Sequence, residues 1–288
     1  MGLLLPIVMA TCTCIALFAA LHHVHPAGLM EWPRLNYEQP NTDLVLYSFF
    51  ETTEATKNFR FFMRHALHSK ADFIIMVNGE STIDLTALNG LPNVQVVKRE
   101  NRCFDLGGFH EILNADAALL ARYKRYIFMN ASLRGPFFPP WAQDTCWSDA
   151  YFDKLQDSQN GTKIVGMSWN CANGIPYPAH LQSMILAFDQ QTLAEVLLPK
   201  LMCYETMLSA VRDGETMIST WIREAGGEVF AMENRFVSHA GLGGRNSSAF
   251  LEWCVDSPEE SEQGITHGND VLHTQLYEGT TMHPYETM

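Results

Sequence analysis

Short apolar runs alternate with amphipathic stretches through the first half of the chain. Four runs are apolar almost throughout and predict buried strands, at residues 43–50, 72–77, 94–97 and 126–129. Between them, apolar side chains recur at helical spacing, at Phe59, Phe62, Met63, Ala66 and Leu67 and again at Phe109, Ile112, Leu113, Ala117 and Leu120. Strands of this kind alternating with helices predict an α/β fold with a mostly parallel sheet covered on both faces.

The second half has a less regular pattern. It predicts a helix from Trp147, strands at 164–169 and 184–188, a periodic helix at 217–225 that ends at Gly226, and a strand at 229–232. From Ser238 onward the pattern assigns no regular structure.

The N-terminal thirty residues contain no Asp, Glu, Lys or Arg, and residues 3–21 are apolar apart from two threonines. About 20 apolar residues cross a bilayer as a helix, so this run predicts an uncleaved transmembrane signal-anchor. A cleaved signal peptide and a buried helix are the alternatives. The pattern divides the chain into an anchor at 1–24, a stalk at 25–41 and one domain at 42–288.

Charge and cysteine content narrow the function classes. The formal net charge of −13 argues against nucleic acid and anionic membrane surfaces as partners. Seven cysteines without a C-x-x-C pair argue against a structural zinc site. Five of them follow the stalk, so one or two disulfides can form in an oxidising lumen: Cys103, Cys146, Cys171, Cys203 and Cys254.

Ligands of parallel sheets bind at the carboxyl ends of the strands, and two polar clusters follow predicted strands. Residues 98–108 include three cations, Asn101, Asp105 and two glycines that open a helix, which suits an anion at the helix N-terminus. Residues 130–136 bring Asn130, Ser132 and Arg134 together, and Arg134 can hold a diphosphate. The alternatives are a capping Asp with packing glycines, and a polar turn with a surface Arg.

Glu215 is a third candidate, since it precedes the periodic helix and can act as a general base. The alternative is a first-turn Glu that stabilises the helix dipole. A thiol nucleophile at Cys171 and metal ligands among the late histidines have no local motif in their support.

The chain resembles GT-A-type glycosyltransferases, in which an apolar strand runs into a metal-binding D-x-D motif. It is similar to membrane-anchored enzymes of polysaccharide biosynthesis, of the rhamnan-synthesis type, in YSFFETTEATKNFRFFMRHAL, DFIIMVNGES, NRCFDLGGF, YIFMNASLRGPFFP and the final HPYET. The resemblance covers most of residues 43–288, and YIFMNASLRGPF is its most specific part.

The resemblance implies a GT-A-like, Rossmann-like fold, a nucleotide-sugar donor and a hydroxyl acceptor on a glycan or polysaccharide. The implied donor-binding residues are Phe50, Glu51, Asn101, Asp105, Gly107, Asn130, Ser132 and Arg134. Glu215 matches the acceptor-side catalytic carboxylate, and His283 matches a late metal-ligand histidine. Asn130 and Ser132 stand where D-x-D would be, and these neutral side chains hold Mn²⁺ or Mg²⁺ less well than two carboxylates.

The sequence therefore predicts a single-pass membrane glycosyltransferase of the Golgi or another secretory compartment, with its domain in the lumen. Asn130 begins an N-x-S sequon, and we expect it to stay unmodified because a glycan there would block the donor site. The alternative, supported by the missing D-x-D, is a non-catalytic nucleotide- or carbohydrate-binding protein on the same fold.

Overall fold

A computed structural model of the chain describes residues 41–136, 146–156, 162–170 and 177–232. The predicted anchor, the stalk before Asn41, and the candidates Cys171 and His283 lie outside these residues. Among the helices described, none has the length and apolar character needed to cross a membrane.

Nine strands are described, and the four strands predicted in the first half all form. The strands are β1 Asp43–Phe50, β2 Asp72–Asn78, β3 Val94–Arg99, β4 Arg125–Asn130, β5 Thr162–Gly166, β6 Trp169–Asn170, β7 His180–Leu181, β8 Ile185–Asp189 and β9 Glu228–Ala231. The single strand predicted at 164–169 is divided between β5 and β6.

Seven α-helices are described, together with two 3₁₀ turns and two π-helical turns. The α-helices are α1 Thr53–His65, α2 Phe104–Ala115, α3 Ala117–Arg122, α4 Trp147–Gln156, α5 Gln190–Thr192, α6 Met207–Ser209 and α7 Ile218–Glu224. A 3₁₀ turn spans Thr86–Leu88, and π-helical turns at Leu193–Leu197 and Ala210–Gly214 continue α5 and α6. A 3₁₀ turn at Glu215–Met217 then leads into α7.

Asp116 divides what the sequence predicts as one helix. Its backbone is extended, and its side chain accepts hydrogen bonds from the N–H groups of Ala118 and Leu119. An Asp in this position caps a new helix, so α2 ends and α3 begins there.

Seven strands form one sheet in the order β3-β2-β1-β4-β8-β5-β9, and β6 and β7 form a separate pair. All pairings among β1 to β4 are parallel, whereas β8 runs antiparallel to both β4 and β5. The predicted α/β fold with a mostly parallel sheet is confirmed. The direction of β8 is a feature that apolar runs do not encode.

The sheet is buried on both faces because its strands alternate their side chains between two cores. Leu44 and Leu46 of β1 belong to the core that includes Phe109 and Trp221, under α2, α3 and α7. The side chains of Val45 and Tyr47, which alternate with them along the strand, lie in the other core, under α1 and α4. A sheet covered in this way leaves the carboxyl ends of its strands as the open edge for a ligand.

Candidate active site

A cleft of about 450 Å³ lies at the carboxyl edge of the sheet. It is bounded by the ends of β1, β2 and β4, the start of α2 and the segment from Met207 to Glu215. Ser48 is in register with Asn130, and Phe50 with Asn78, so polar positions distant in sequence become neighbours. Six of the residues implicated by the sequence line this cleft: Phe50, Asn101, Asp105, Asn130, Ser132 and Glu215.

Asp105 and Asn130 join the two polar clusters into one site. The Asn130 amide donates to Asp105 Oδ2 at 2.6 Å, and its Oδ1 accepts from the backbone N–H of Ser132 at 3.2 Å and from the Ser132 hydroxyl. These bonds fix the orientation of the Asn130 amide. Asp105 Oδ2 consequently lies beside the Asn130 side chain at the end of β4.

An unusual backbone turn delivers Asp105 to the cleft. Cys103 and Phe104 both have positive φ, 67° and 57°, a left-handed conformation that is uncommon for residues other than glycine. Asp105 then lies in the first turn of α2, where a carboxylate is favoured by the helix dipole. Backbone strain of this kind tends to be concentrated at functional sites.

Gly107 and Gly108 allow close packing of α2 against neighbouring segments. The helix begins at Phe104, so the glycines do not open it as the sequence suggested. A Cβ on Gly107 would come within 2.7 Å of the Met202 carbonyl oxygen, and one on Gly108 within 2.5 Å of the Arg99 guanidinium. Gly107 is not among the residues that line the cleft.

Glu215 faces Asp105 from the opposite wall. It begins the 3₁₀ turn that follows the π-helical turn, and it accepts hydrogen bonds from the hydroxyl and the backbone N–H of Ser183. Burial raises the pKa of the Glu215 carboxyl, and the nearby negative charge of Asp105 raises it further. A carboxylate with a raised pKa holds a proton more readily, as a general base at neutral pH requires.

Two other predicted residues lie outside the cleft lining. Glu51 accepts hydrogen bonds from the hydroxyl of Thr82, at 2.7 Å, and from its backbone N–H, and these bonds lower the pKa of Glu51. Arg134 donates from Nε to Asn58 Oδ1 at 3.2 Å. Glu51 therefore organises the loop at 80–83, and Arg134 braces the turn after β4 against α1.

The cleft lining also includes the polar residues Ser48, Asn78 and Ser183; of these, Asn78 follows a predicted strand end, and the sequence did not single out the two serines. The Asn78 amide donates to Ser48 Oγ at 3.0 Å and accepts from Arg99 at 3.2 Å. In the sequence, Ser48 stands out as a hydroxyl in an otherwise apolar strand, and Asn78 as a polar residue that ends β2. No sequence pattern marks Ser183, because its position depends on the direction of β8.

The described lining of the cleft carries two carboxylates, Asp105 and Glu215, and no Lys, Arg or His. A diphosphate entering between them needs a positive charge to offset the repulsion. The carboxylate of Asp105, the amide oxygen of Asn130 and the hydroxyl of Ser132 are hard oxygen donors, which suit Mg²⁺ and Mn²⁺. The donor set fits a divalent ion that is shared with a bound phosphate.

In the part of the chain described, the one group of three close metal-type ligands is elsewhere. It consists of Cys103, Glu111 and Cys203, and a disulfide joins the two cysteines. Disulfide sulfurs are not thiolates, and thiolates are the form that binds metal. This group is therefore not a metal site while the disulfide is intact.

A Ser–His pair, His68 and the buried Ser148, lies outside the cleft lining. His68 Nδ1 accepts from the backbone N–H of Lys70 at 3.2 Å, so its Nε2 carries the proton toward Ser148 Oγ, also at 3.2 Å. Burial lowers the pKa of His68 to about 4. A histidine that donates to serine does not activate it as a nucleophile, so the pair is structural.

Comparison with known proteins gives only distant likenesses. No protein-family model matches the chain, and no curated protein matches it significantly. Among solved structures, the mannosyltransferase PcManGT from Pyrobaculum calidifontis, in complex with GDP-Man and Mn²⁺, is 11% identical with a TM-score of 0.44, over 84% of this chain and 80% of that one.

Two further solved structures are similar at the same level. A cytidylyltransferase from Leptospira borgpetersenii is 12% identical with a TM-score of 0.41, over 68% of this chain and 77% of that one. The glycosyltransferase GlyE of Streptococcus pneumoniae is 8% identical with a TM-score of 0.39, over 77% of this chain and 53% of that one. Likenesses of this size carry no argument about function.

Proposed function

We propose that this protein is a glycosyltransferase that moves a sugar from a nucleotide-sugar donor to a hydroxyl of a glycan acceptor. The observation that carries the proposal is the placement of Asp105 and Glu215 on opposite walls of one cleft. One carboxylate lies where the donor's diphosphate would enter, and the other has the raised pKa of a base.

The position of the cleft supports a nucleotide ligand. The strand order reverses between β1 and β4, and the cleft opens at the carboxyl ends of these two strands. Open α/β sheets bind nucleotides at such a switch point. A volume of about 450 Å³ is within the range of small-molecule pockets.

The lining offers a division between a nucleoside end and a reacting end. Phe50 is 46% exposed and presents a ring on which a base can stack, next to the exposed amide of Asn101. Hydrogen bonds join Asp105, Asn130 and Ser132 into one group of the lining, to which Glu215 adds a second carboxylate. The diphosphate then lies at Asp105 and the sugar between Asp105 and Glu215.

Glu215 supplies the base in the proposed reaction. Its carboxylate takes the proton of the acceptor hydroxyl while that oxygen forms a bond to the anomeric carbon. The bond from the anomeric carbon to the diphosphate breaks, and the nucleoside diphosphate leaves with the electron pair. The Ser183 hydrogen bonds orient the carboxylate for this proton transfer.

Asp105, with Asn130 and Ser132, would hold a divalent ion together with the donor diphosphate. Mn²⁺ or Mg²⁺ would supply positive charge to the leaving group, which the described lining does not provide. With one carboxylate from the protein, we expect the ion to bind weakly in the absence of donor.

The disulfide between Cys103 and Cys203 supports an oxidising compartment, such as the lumen of the secretory pathway. We propose that residues 3–21 anchor the protein in the membrane there, with the domain on the lumenal side. The resemblance to polysaccharide-biosynthesis enzymes supports a glycan or polysaccharide as acceptor.

A donor panel tests the proposal. The full chain is incubated with nucleotide sugars, with Mn²⁺ or with chelator, and nucleoside diphosphate release is followed. Release from one donor, enhanced by Mn²⁺, is the expected result. The alternative is a non-catalytic binding protein, which the neutral side chains of Asn130 and Ser132 support. A donor that stabilises the protein thermally but releases no nucleoside diphosphate, even with glycan acceptors present, would favour this alternative.

A further inference from the structure

The disulfide Cys103–Cys203 joins the two walls of the cleft. It links residues 100 positions apart in the sequence. Cys103 lies two residues before Asp105, and Cys203 begins the segment that continues through Met207 to Glu215. The two carboxylates of the proposed reaction are therefore held by segments that share one covalent cross-link.

Close packing surrounds the cross-link on the Asp105 side. The backbones of Cys103 and Tyr204 form an isolated β-bridge. A Cβ at Gly107 would be 2.7 Å from the Met202 carbonyl oxygen and 3.2 Å from Cys203 Cα, so α2 touches the backbone of the opposite wall directly. This contact depends on the two walls keeping one fixed separation.

Tyr204 continues the path from the disulfide toward Glu215. Its ring lies against Gly214, where an added Cβ would come within 2.7 Å of the ring and the hydroxyl. Gly214 immediately precedes Glu215. A chain of contacts thus runs from Asp105 through the disulfide and Tyr204 to the catalytic carboxylate.

We propose that Cys103 and Cys203 are positioning residues whose disulfide sets the separation of Asp105 and Glu215 for transfer. This inference rests on the proposed function. When the disulfide is reduced, the two walls separate, donor and acceptor lose their fixed relative position, and transfer slows. A misplacement of about 1 Å in a catalytic site can lower the rate about a hundredfold.

The disulfide is open to reduction from one side. Cys203 is exposed, whereas Cys103 is 2% exposed. A thiolate of an external dithiol attacks Cys203 Sγ and forms a mixed disulfide, and Cys103 leaves as a thiolate that takes up a proton. The second thiol of the dithiol then attacks the mixed disulfide, which releases Cys203 as a thiol and leaves the dithiol oxidised.

The test compares wild-type protein, with and without dithiothreitol, with the double variant Cys103→Ser/Cys203→Ser. Cys146→Ser is the matched control, because Cys146 is a buried cysteine outside the Cys103–Cys203 cross-link. We expect the reduced protein and the double variant to lose at least tenfold in kcat/KM, and Cys146→Ser to lose nothing. Reoxidation of the reduced wild-type protein should restore the activity, which covers the case in which the double variant does not fold.

The pH profile separates positioning from stability. Because the charge of Asp105 raises the pKa of Glu215, separating the walls should move the acid limb of kcat/KM to lower pH. Unchanged kcat/KM and an unchanged acid limb after complete reduction would overturn the proposal. So would a loss of activity that merely follows global unfolding seen by circular dichroism.

Hydrogen exchange gives a readout that does not need turnover. Reduction should increase exchange at 103–108 and 202–210 together, with no change in α4, which lies under the other face of the sheet. Faster exchange at both segments supports the positioning role of the disulfide, even if no donor is turned over. Absence of turnover would overturn only the proposed function. Unchanged exchange at both segments would overturn the positioning role of the disulfide.

Discussion

The Asn130 amide donates a 2.6 Å hydrogen bond to Asp105 and so links the end of β4 to the first turn of α2. The two residues are 25 positions apart and belong to different polar clusters of the sequence. Their contact places an acidic side chain at the end of β4, inside the cleft.

Replacing Glu215 by Gln should abolish most transfer while leaving donor binding intact. The amide keeps the shape of the side chain but cannot take the acceptor proton, and a general base contributes about 10²- to 10⁴-fold. Steady-state kcat with the active donor and the donor Kd measure the two effects. Glu205→Gln, an exposed residue outside the cleft lining, is the control, and equal kcat in Glu215→Gln would remove Glu215 from the mechanism.

The rate should depend on pH through Glu215. Its pKa is raised above 4.5, and the base works when deprotonated, so kcat/KM should rise with pH across a limb above that value. Asp105→Asn removes a charge that disfavours ionisation of Glu215, so the limb should move to lower pH. The control Asp213→Asn should leave the acid limb at the same pH, since Asp213 does not contribute to the raised pKa of Glu215. An acid limb that stays at the same pH in Asp105→Asn would contradict the influence of Asp105 on Glu215.

A second carboxylate at position 130 should strengthen metal binding. Asn130→Asp puts two carboxylates in contact, which repel each other without an ion and bind one together. We expect the Mn²⁺ concentration for half-maximal activity to fall on the order of tenfold, because carboxylate count tunes affinity at oxygen sites. Asn114→Asp on the exposed face of α2 is the control, and an unchanged Mn²⁺ requirement in Asn130→Asp would place the ion elsewhere.

Asn58 should be needed for the stability of the turn that carries Asn130. It is fully buried, donates to the Ala131 carbonyl oxygen at 2.9 Å and accepts from Arg134. Asn58→Ala should lower the free energy of unfolding by about 1–3 kcal/mol, since it leaves buried polar groups unpaired. Urea denaturation measures the free energy of unfolding, with Asn114→Ala at an exposed position as the control. If Asn58→Ala lowers the free energy of unfolding no more than Asn114→Ala does, the proposed role of Asn58 is wrong.

Much of the fold could be predicted because the strands are buried on both faces. The apolar run at 43–50 has the same bounds as β1, since each residue of that strand but Phe50 is buried. The apolar spacing from Phe109 to Leu120 predicted one helix, interrupted on its apolar face by Asp116. In the structure, Asp116 caps a second helix instead. The antiparallel β8 has the same apolar composition as a parallel strand, so composition does not reveal its direction.

The site residues that follow strand ends could be predicted from the sequence. Those that depend on contacts between distant segments could not. Asn130 and Asp105 follow strands and could be selected from sequence. The pairing of Cys103 with Cys203 could not, because five cysteines after the stalk allow several pairings. The placement of Gly107 against Met202 was likewise missed, since it requires the same long-range contact.

The proposed function requires that a nucleotide sugar binds in the cleft between Asp105 and Glu215. The most direct measurement is hydrogen exchange of the full chain with and without the donor that gives the strongest response in the panel. We predict slower exchange at 48–52, 101–106, 130–132 and 207–215, and no change around the small cavity formed by Lys163, Gln191 and Gly226. Protection that appears elsewhere while these four segments are unaffected would contradict the account.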